Sequence, residues 1–265
     1  MTSDATWAGS MPAVYDDCLG PVLFEPFAHE LATRAAALRP ARVLEVAAGT
    51  GVVTRQLRAA LPEAAIVATD LNAGMAAEGA RRVPDVEWRT ADAADLGVPD
   101  ASVDLVVCSF GAMFFPDRPA AYAEAARALA PGGRLLFTVW DVVDRSTFTA
   151  AVVAALAEVL PEQTPQFIER VPHGYADPAV VTTDVVAGGL AVERFDTVVL
   201  PAEAPSARSL AEGFCLGTPL RFALELHGPL DELTDAVAAR LTERLGEGPL
   251  SGELGAHVVT ARAAD

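Results

Sequence analysis

The stretch VLEVAAGTGVVTRQL, Val43–Leu57, limits the fold more than any other part of the chain. A short apolar strand holding one acid, Glu45, runs into a turn with Gly49 and Gly51, and a helix is predicted after it near residues 52–60. Glycine in such a turn supplies positive φ and lets backbone approach a ligand. The alternation continues to Trp140, through AAIVATD, a helix over 73–82, VEWRTAD, VDLVVCSF, a helix near 117–130, the turn APGG and RLLFTVW. Short apolar runs separated by helical blocks specify β-α-β units, and hence a parallel sheet covered on both faces. Right-handed crossovers then predict an α/β fold with a doubly wound, mostly parallel sheet.

The flanks read differently. Residues 1–40 are expected to form a helical N-terminal cap, on the spacing of PVLFEPFAHELATRAAAL, and 41–141 the ligand-binding core. Residues 142–265 would supply cap helices over the ligand edge, plus two last strands, AVERFDTVVL and AHVVTARA, that complete the same domain. Leu230, Leu233, Val237, Leu241 and Leu245 recur at spacings of three and four, an amphipathic helix whose stripe is either core packing or a homodimer face.

Charge and composition remove several classes of function. The net charge is −17 and all 19 basic residues are arginine. Nucleic-acid binding needs a basic footprint to displace counterions, so neither DNA nor RNA is expected as a partner. Without lysine there is no Schiff-base chemistry and no Gly-Lys-Ser/Thr phosphate loop. The longest nearly apolar helical run, FTAAVVAALAEVL, contains a glutamate and is too short to span a bilayer. The first 17 residues lack the basic and apolar regions of a secretory signal. Cys18, Cys108 and Cys215 lie far apart and read as free thiols, which suits a cytoplasmic protein. No ligand-spaced cluster joins them to His29, His173, His227 or His257, so no metal site is expected.

Ligands of an open α/β sheet bind outside the carboxyl ends of its strands. Three acids fall in or beside those ends: Glu45 in the first strand, Asp70 at the end of the second and Asp92 at the end of the third. The helix after the glycine turn offers free N–H groups to a carboxylate or phosphate. Asp70, 21 positions after Gly49, is spaced to accept from ribose hydroxyls, and Asp92 from an adenine amine. These groups outline an adenosine pocket. A carboxylate at position 45 suits the cationic amino end of an amino-acid-like ligand and would repel a pyrophosphate.

In EVAAGTG (Glu45–Gly51), ATDLNAGM (Ala68–Met75), TADAADL (Thr90–Leu96), VDLVVCSFGAMFF (Val103–Phe115) and ALAPGGRLLFTVW (Ala128–Trp140) the chain resembles the class I S-adenosylmethionine-dependent methyltransferases. The likeness is greatest to their small-molecule and ubiquinone-biosynthesis-like group and covers roughly residues 40–141. It implies a Rossmann-like methyltransferase fold with S-adenosyl-L-methionine as cofactor. It assigns Glu45, Gly49 and Gly51 to the methionine end and Asp70 to the ribose. Leu71, Asn72 and Met75 would lie beside the adenosine, Asp92 and Ala93 at the adenine, and Ser109 would complete the cofactor set. Ala47 stands where the family motif has glycine, the smallest departure available.

Methyl transfer is an in-line displacement in which alignment and desolvation do most of the work. The loop CSFGAMFFPD would face the methyl group, with Phe110, Met113 and Phe114 as the wall of the acceptor site. His29, His173 and Tyr15 are the candidates for a general base. The expected acceptor is a small, partly hydrophobic molecule, methylated on oxygen ahead of nitrogen or carbon. Two rivals stand beside this reading. An NAD(P)-dependent oxidoreductase shares the turn and the Asp70 spacing, but Thr54 occupies the place of its third glycine and a Tyr-x-x-x-Lys pair is impossible here. A non-catalytic S-adenosylmethionine-binding protein would keep the pocket without the transfer.

Overall fold

The computed structural model describes Gly9 and residues 11–263, so much of the stretch read for a leader, 1–8 and 10, lies outside the described residues. The chain begins with α1 (Met11–Val14), a ten-residue π-helix over Tyr15–Phe24, and α2 (Glu25–Leu38). The alternating region follows as β1 (Arg42–Val46), α3 (Val52–Ala60), β2 (Ala65–Asp70), α4 (Ala73–Arg82), β3 (Glu87–Thr90), β4 (Val103–Ser109), α5 (Arg118–Ala128) and β5 (Leu129–Trp140). Then come α6 (Thr147–Val159), α7 (Phe167–Arg170), α8 (Pro178–Ala187), β6 (Leu190–Ala204), α9 (Ala207–Gly217), α10 (Leu220–Leu224), α11 (Leu230–Leu245) and β7 (Leu250–Ala263).

The strands form one seven-stranded sheet in the order β3-β2-β1-β4-β5-β7-β6. β1 pairs in parallel with β2 and with β4, β2 with β3, and β4 with β5, while β7 lies antiparallel to β5. The chain winds outward from β1 to β3, returns to β4 on the other side of β1, and winds the opposite way. The strand order therefore reverses between β1 and β4, the place where such sheets open a crevice for a ligand. Val43 and Leu44 of β1, Leu105–Val107 of β4 and Leu135–Phe137 of β5 are all buried, as a parallel sheet covered on both faces requires. Each such side chain stabilises the fold by about 1.5–3 kcal/mol relative to an exposed one.

The chain divides into two compact units. One holds Phe27–Trp140, Tyr175–Val198 and the chain from Ala256 onward, and contains the parallel strands. The other holds the chain up to Pro26, Asp141–Gly174 and Val199–Gly255. The division thus places most of α2, within the expected N-terminal cap, with the sheet. In the second unit Val237 and Leu241 of α11 are fully buried, and Leu230, Leu233 and Leu245 are half-buried. The leucine stripe therefore serves mainly packing within the chain, the first of its two readings.

Local chemistry sets the element ends near the sheet edge. Asn72 caps α4 by accepting from the Gly74 and Met75 N–H groups at 2.8 and 3.1 Å. Asp117 caps α5 by accepting from Ala120 N–H at 3.0 Å. The turn expected at APGG is taken into β5, which starts at Leu129 and whose pairing with β4 slips between Val103 and Leu105 of β4. Gly132, at φ +79°, absorbs the irregularity. No helix among the described residues is long and apolar enough to cross a membrane.

Candidate functional site

The turn after β1 lies at the switch point and is held from β2. Asp70 accepts the Gly49 N–H on Oδ2 at 2.9 Å and the Asn72 N–H on Oδ1 at 2.8 Å. One carboxylate thus joins the glycine turn to the start of the next loop, and each oxygen keeps a second lone pair for a ligand. Ala48 N–H donates to the Thr69 carbonyl at 2.9 Å, and the Thr69 hydroxyl donates to the Glu45 carbonyl at 2.9 Å. Ala47, Gly49 and Gly51 take φ of +55°, +58° and +89°. Gly51, at the N-cap of α3, brings no capping side chain to the first N–H groups of that helix. A Cβ added at Gly51 would lie 3.2 Å from the Trp88 ring, so that ring would have to give by a few tenths of an ångström.

Glu45 is buried within β1. Desolvation is the main cause that pushes its carboxyl up to about 8, and Asp70 adds to the rise. Thr54 opposes it, although the Thr54 hydroxyl makes no hydrogen bond of full geometry among the described residues. Glu45 Oε2 is likewise buried without a partner. A buried oxygen left so costs about 1–3 kcal/mol, a deficit that a donor brought by a ligand removes. Burial also raises the Asp70 carboxyl, against the two backbone N–H groups that lower it.

Around this centre the sequence candidates separate. Asn72 commits Oδ1 to its cap and Met75 is buried, so Leu71, 54% exposed, is the member of that trio that presents apolar surface beside Asp70. Asp92 is exposed at the end of β3, where its Oδ1 accepts from Ala94 N–H at 2.9 Å, with half-buried Ala93 between them. Ser109 Oγ pairs with Thr138 Oγ1 at 3.1 Å.

The loop after β4 sets the three acceptor-wall candidates apart. Phe110, at φ +52°, is buried and stacks on Trp140 at 3.7 Å between ring centroids, with Phe27 edge-on at 5.3 Å. Its N–H bonds to the Thr138 carbonyl and hydroxyl at 3.1 and 3.2 Å, and this turn directs the ring back onto the sheet. Met113 is also buried, and Phe114 is the half-buried member that keeps surface. Cys108 Sγ accepts the Gly111 and Ala112 N–H groups, and burial pushes its thiol up to about 12. It is a structural thiol, and all three cysteines are free.

The three base candidates do not form one group in either unit. His29 is exposed on α2, two residues from buried Phe27 and so on the other face of that helix. In the other unit Tyr15 opens the π-helix, with its ring 4.8 Å from Phe24. There too His173 is buried, its Nδ1–H donating to the Asp141 carbonyl at 2.6 Å, and burial lowers its pKa. Sequence reasoning missed Arg118, which donates to the Ala112 and Met113 carbonyls at 3.3 and 3.2 Å. It missed Tyr175 as well, whose ring lies 4.1 Å beneath that guanidinium. No spacing signal links these residues before the turn is folded. Among the described residues no three metal-ligating side chains come together.

A doubly wound sheet with a glycine turn, a bracketing acid and a buried acid at its switch point has the chemistry to receive a nucleoside joined to a cationic group. Residues 43–133 match the family model described as a methyltransferase domain. The chain is 36% identical over 135 residues to a demethylmenaquinone methyltransferase of Deinococcus radiodurans, covering 49% of this chain and 56% of that protein. It is 39% identical over 114 residues to a trans-aconitate 2-methyltransferase of Methylobacterium nodulans, covering 43% of this chain and 44% of that one. The chain spans about half the length of the curated relatives it matches. The fold is shared with the YcgJ protein of Bacillus subtilis at a TM-score of 0.57 and 18% identity, over 89% of this chain and 100% of that one. Over residues 43–133 the chain is thus similar to a methyltransferase domain, and the curated relatives that it matches there are methyltransferases.

Proposed function

We propose that the protein transfers the methyl group of S-adenosylmethionine to a small, partly hydrophobic acceptor. The observation that carries this reading is Glu45, a buried carboxyl with an unpartnered oxygen in the strand that leads into a glycine turn bracketed by Asp70. That combination suits an α-ammonium group and disfavours a pyrophosphate. Glu45 would take the ammonium of the cofactor, Asp70 the ribose hydroxyls through its remaining lone pairs, Leu71 a face of the adenine and Asp92 its amine. The bound cofactor supplies an electrophilic methyl on sulfur. The chain's part is to hold that group still and dry, a role that suits a turn after β4 fastened by Thr138 and Arg118. Oxygen is the proposed accepting atom, ahead of nitrogen or carbon. An acidic oxygen acceptor asks least of a base, which suits a chain whose candidates are an exposed histidine, a buried histidine and Tyr15. Three free thiols favour the cytoplasm as its setting.

The test is calorimetric titration with S-adenosylhomocysteine, with NADH in parallel, on the wild type and on Glu45→Ala and Asp70→Ala. Micromolar binding of S-adenosylhomocysteine alone, weakened by at least about tenfold in both variants, is the expected result. Binding of NADH instead would overturn it. Labelled S-adenosylmethionine with phenols, amines and keto acids then separates an enzyme from a protein that only holds the cofactor.

A further inference from the structure

We infer that Ala47 is a positioning residue of the cofactor slot, its methyl group set against Gly111 so that the turns after β1 and β4 keep one fixed spacing. The inference rests on the methyltransferase reading and gives a role within it to the residue that departs from the glycine motif.

The two turns flank the point where strand order reverses, between β1 and β4. Gly111 has φ −98° and ψ −36°, a backbone conformation open to any residue, so its conformation does not call for glycine. Space does. A Cβ added at Gly111 would stand 2.5 Å from the Ala47 Cβ and 2.9 Å from Cys108 Sγ. At position 47 the situation is reversed. The φ of +55° favours glycine, and alanine stands there. The methyl group therefore sits on the side where backbone resists it and is missing on the side where backbone would accept it. A contact that only filled space would be reached with less strain the other way round. Ala47 is also half-exposed between buried Val46 and buried Ala48, so the contact with Gly111 lies at the open side of the turn and not in the core. Gly111 leads directly into the turn that carries Met113 and Phe114, and a shift at the Ala47 contact would be passed to that wall.

The experiment measures S-adenosylhomocysteine affinity and the melting temperature of the free protein for wild type, Ala47→Gly, Gly111→Ala and the double variant. Ala47→Gly is expected to melt no lower than wild type while binding about three- to tenfold more weakly. Gly111→Ala, overfilled, should bind at least about tenfold more weakly. The double variant should recover at least about threefold of that loss, because the Ala47→Gly change makes room and the Cys108 thiol gives by a few tenths of an ångström. Wild-type affinity in Ala47→Gly, or weakening that only follows a lower melting temperature, would overturn the inference. So would a double variant no better than Gly111→Ala. If Gly111→Ala does not fold, the Ala47→Gly comparison decides alone. Failure of the wild type to bind S-adenosylhomocysteine would instead overturn the function proposed above.

Discussion

Glu45 joins two demands on one side chain. It must be buried in β1 for the sheet to close, and it must be charged to hold an ammonium group. In the free protein burial wins and raises the carboxyl from its ordinary 4.5 to about 8. The folded state then binds this proton more tightly than the unfolded state. The resulting stability is complete below about pH 4.5 and is lost as pH rises towards 8, at about 1.4 kcal/mol for each pH step crossed. Urea denaturation of the free protein is expected to show falling stability between about pH 5 and 8, and a much flatter profile in Glu45→Gln. A ligand ammonium selects the ionised form, so affinity for S-adenosylhomocysteine should climb with pH by up to about tenfold per pH step and level off above about 8. A pH-independent affinity would mean that Glu45 does not meet the ammonium. The acid was legible in the sequence because its place before the glycines was. Its neutral state was not, since that depends on what three dimensions pack around it. The same holds for Phe110, whose burial follows from a left-handed turn and a stack on Trp140 that no spacing encodes.

At the scale of elements, α5 does more than cross between β4 and β5. Its first residue, Arg118, turns back to satisfy two carbonyls of the preceding turn and lies over the Tyr175 ring. Tyr175 in turn lies with its hydroxyl 3.4 Å from that of Tyr122, on the same helix as Arg118. Arg118→Met keeps much of the stem and removes the donors. It should destabilise the protein by about 1–3 kcal/mol and speed amide exchange over residues 110–115 before the rest of the sheet. Unchanged exchange there would show that the turn is held by Cys108 and Thr138 alone. Most elements around this helix were legible. The predicted helix over 73–82 is α4, because Asn72 marks its start chemically and its apolar period is unbroken. APGG reads as a turn by composition, yet the ladder with β4 resumes across it after a slip in register. The π-helix over Tyr15–Phe24 was out of reach, because a wider helical period looks like an ordinary one in a ten-residue stretch that also contains Pro21.

Over the whole molecule the charges favour one ligand of the proposed reaction over the other. The chain carries a net charge of −17, and many of its arginines are already paired at the surface, among them Arg42 with Asp104, Arg127 with Glu124 and Arg208 with Glu212. Such exposed pairs contribute about 0–1 kcal/mol each and cancel locally, so the excess acids set the long-range field. S-adenosylmethionine, with sulfonium, ammonium and carboxylate, has a net single positive charge; S-adenosylhomocysteine has none. A negative field therefore adds to the affinity of the methyl donor and not to that of its product. At about 10 mM salt the screening length is about 30 Å, and at physiological salt it falls to about 8 Å, so the added attraction is largely removed. Raising NaCl from about 10 to about 300 mM should weaken S-adenosylmethionine binding by about three- to tenfold and leave S-adenosylhomocysteine within about twofold. Paired calorimetric titrations across that range measure the difference directly. Equal salt dependence of the two ligands would place the discrimination in the site itself, at Glu45 and the turn after β4, and not in the field of the chain.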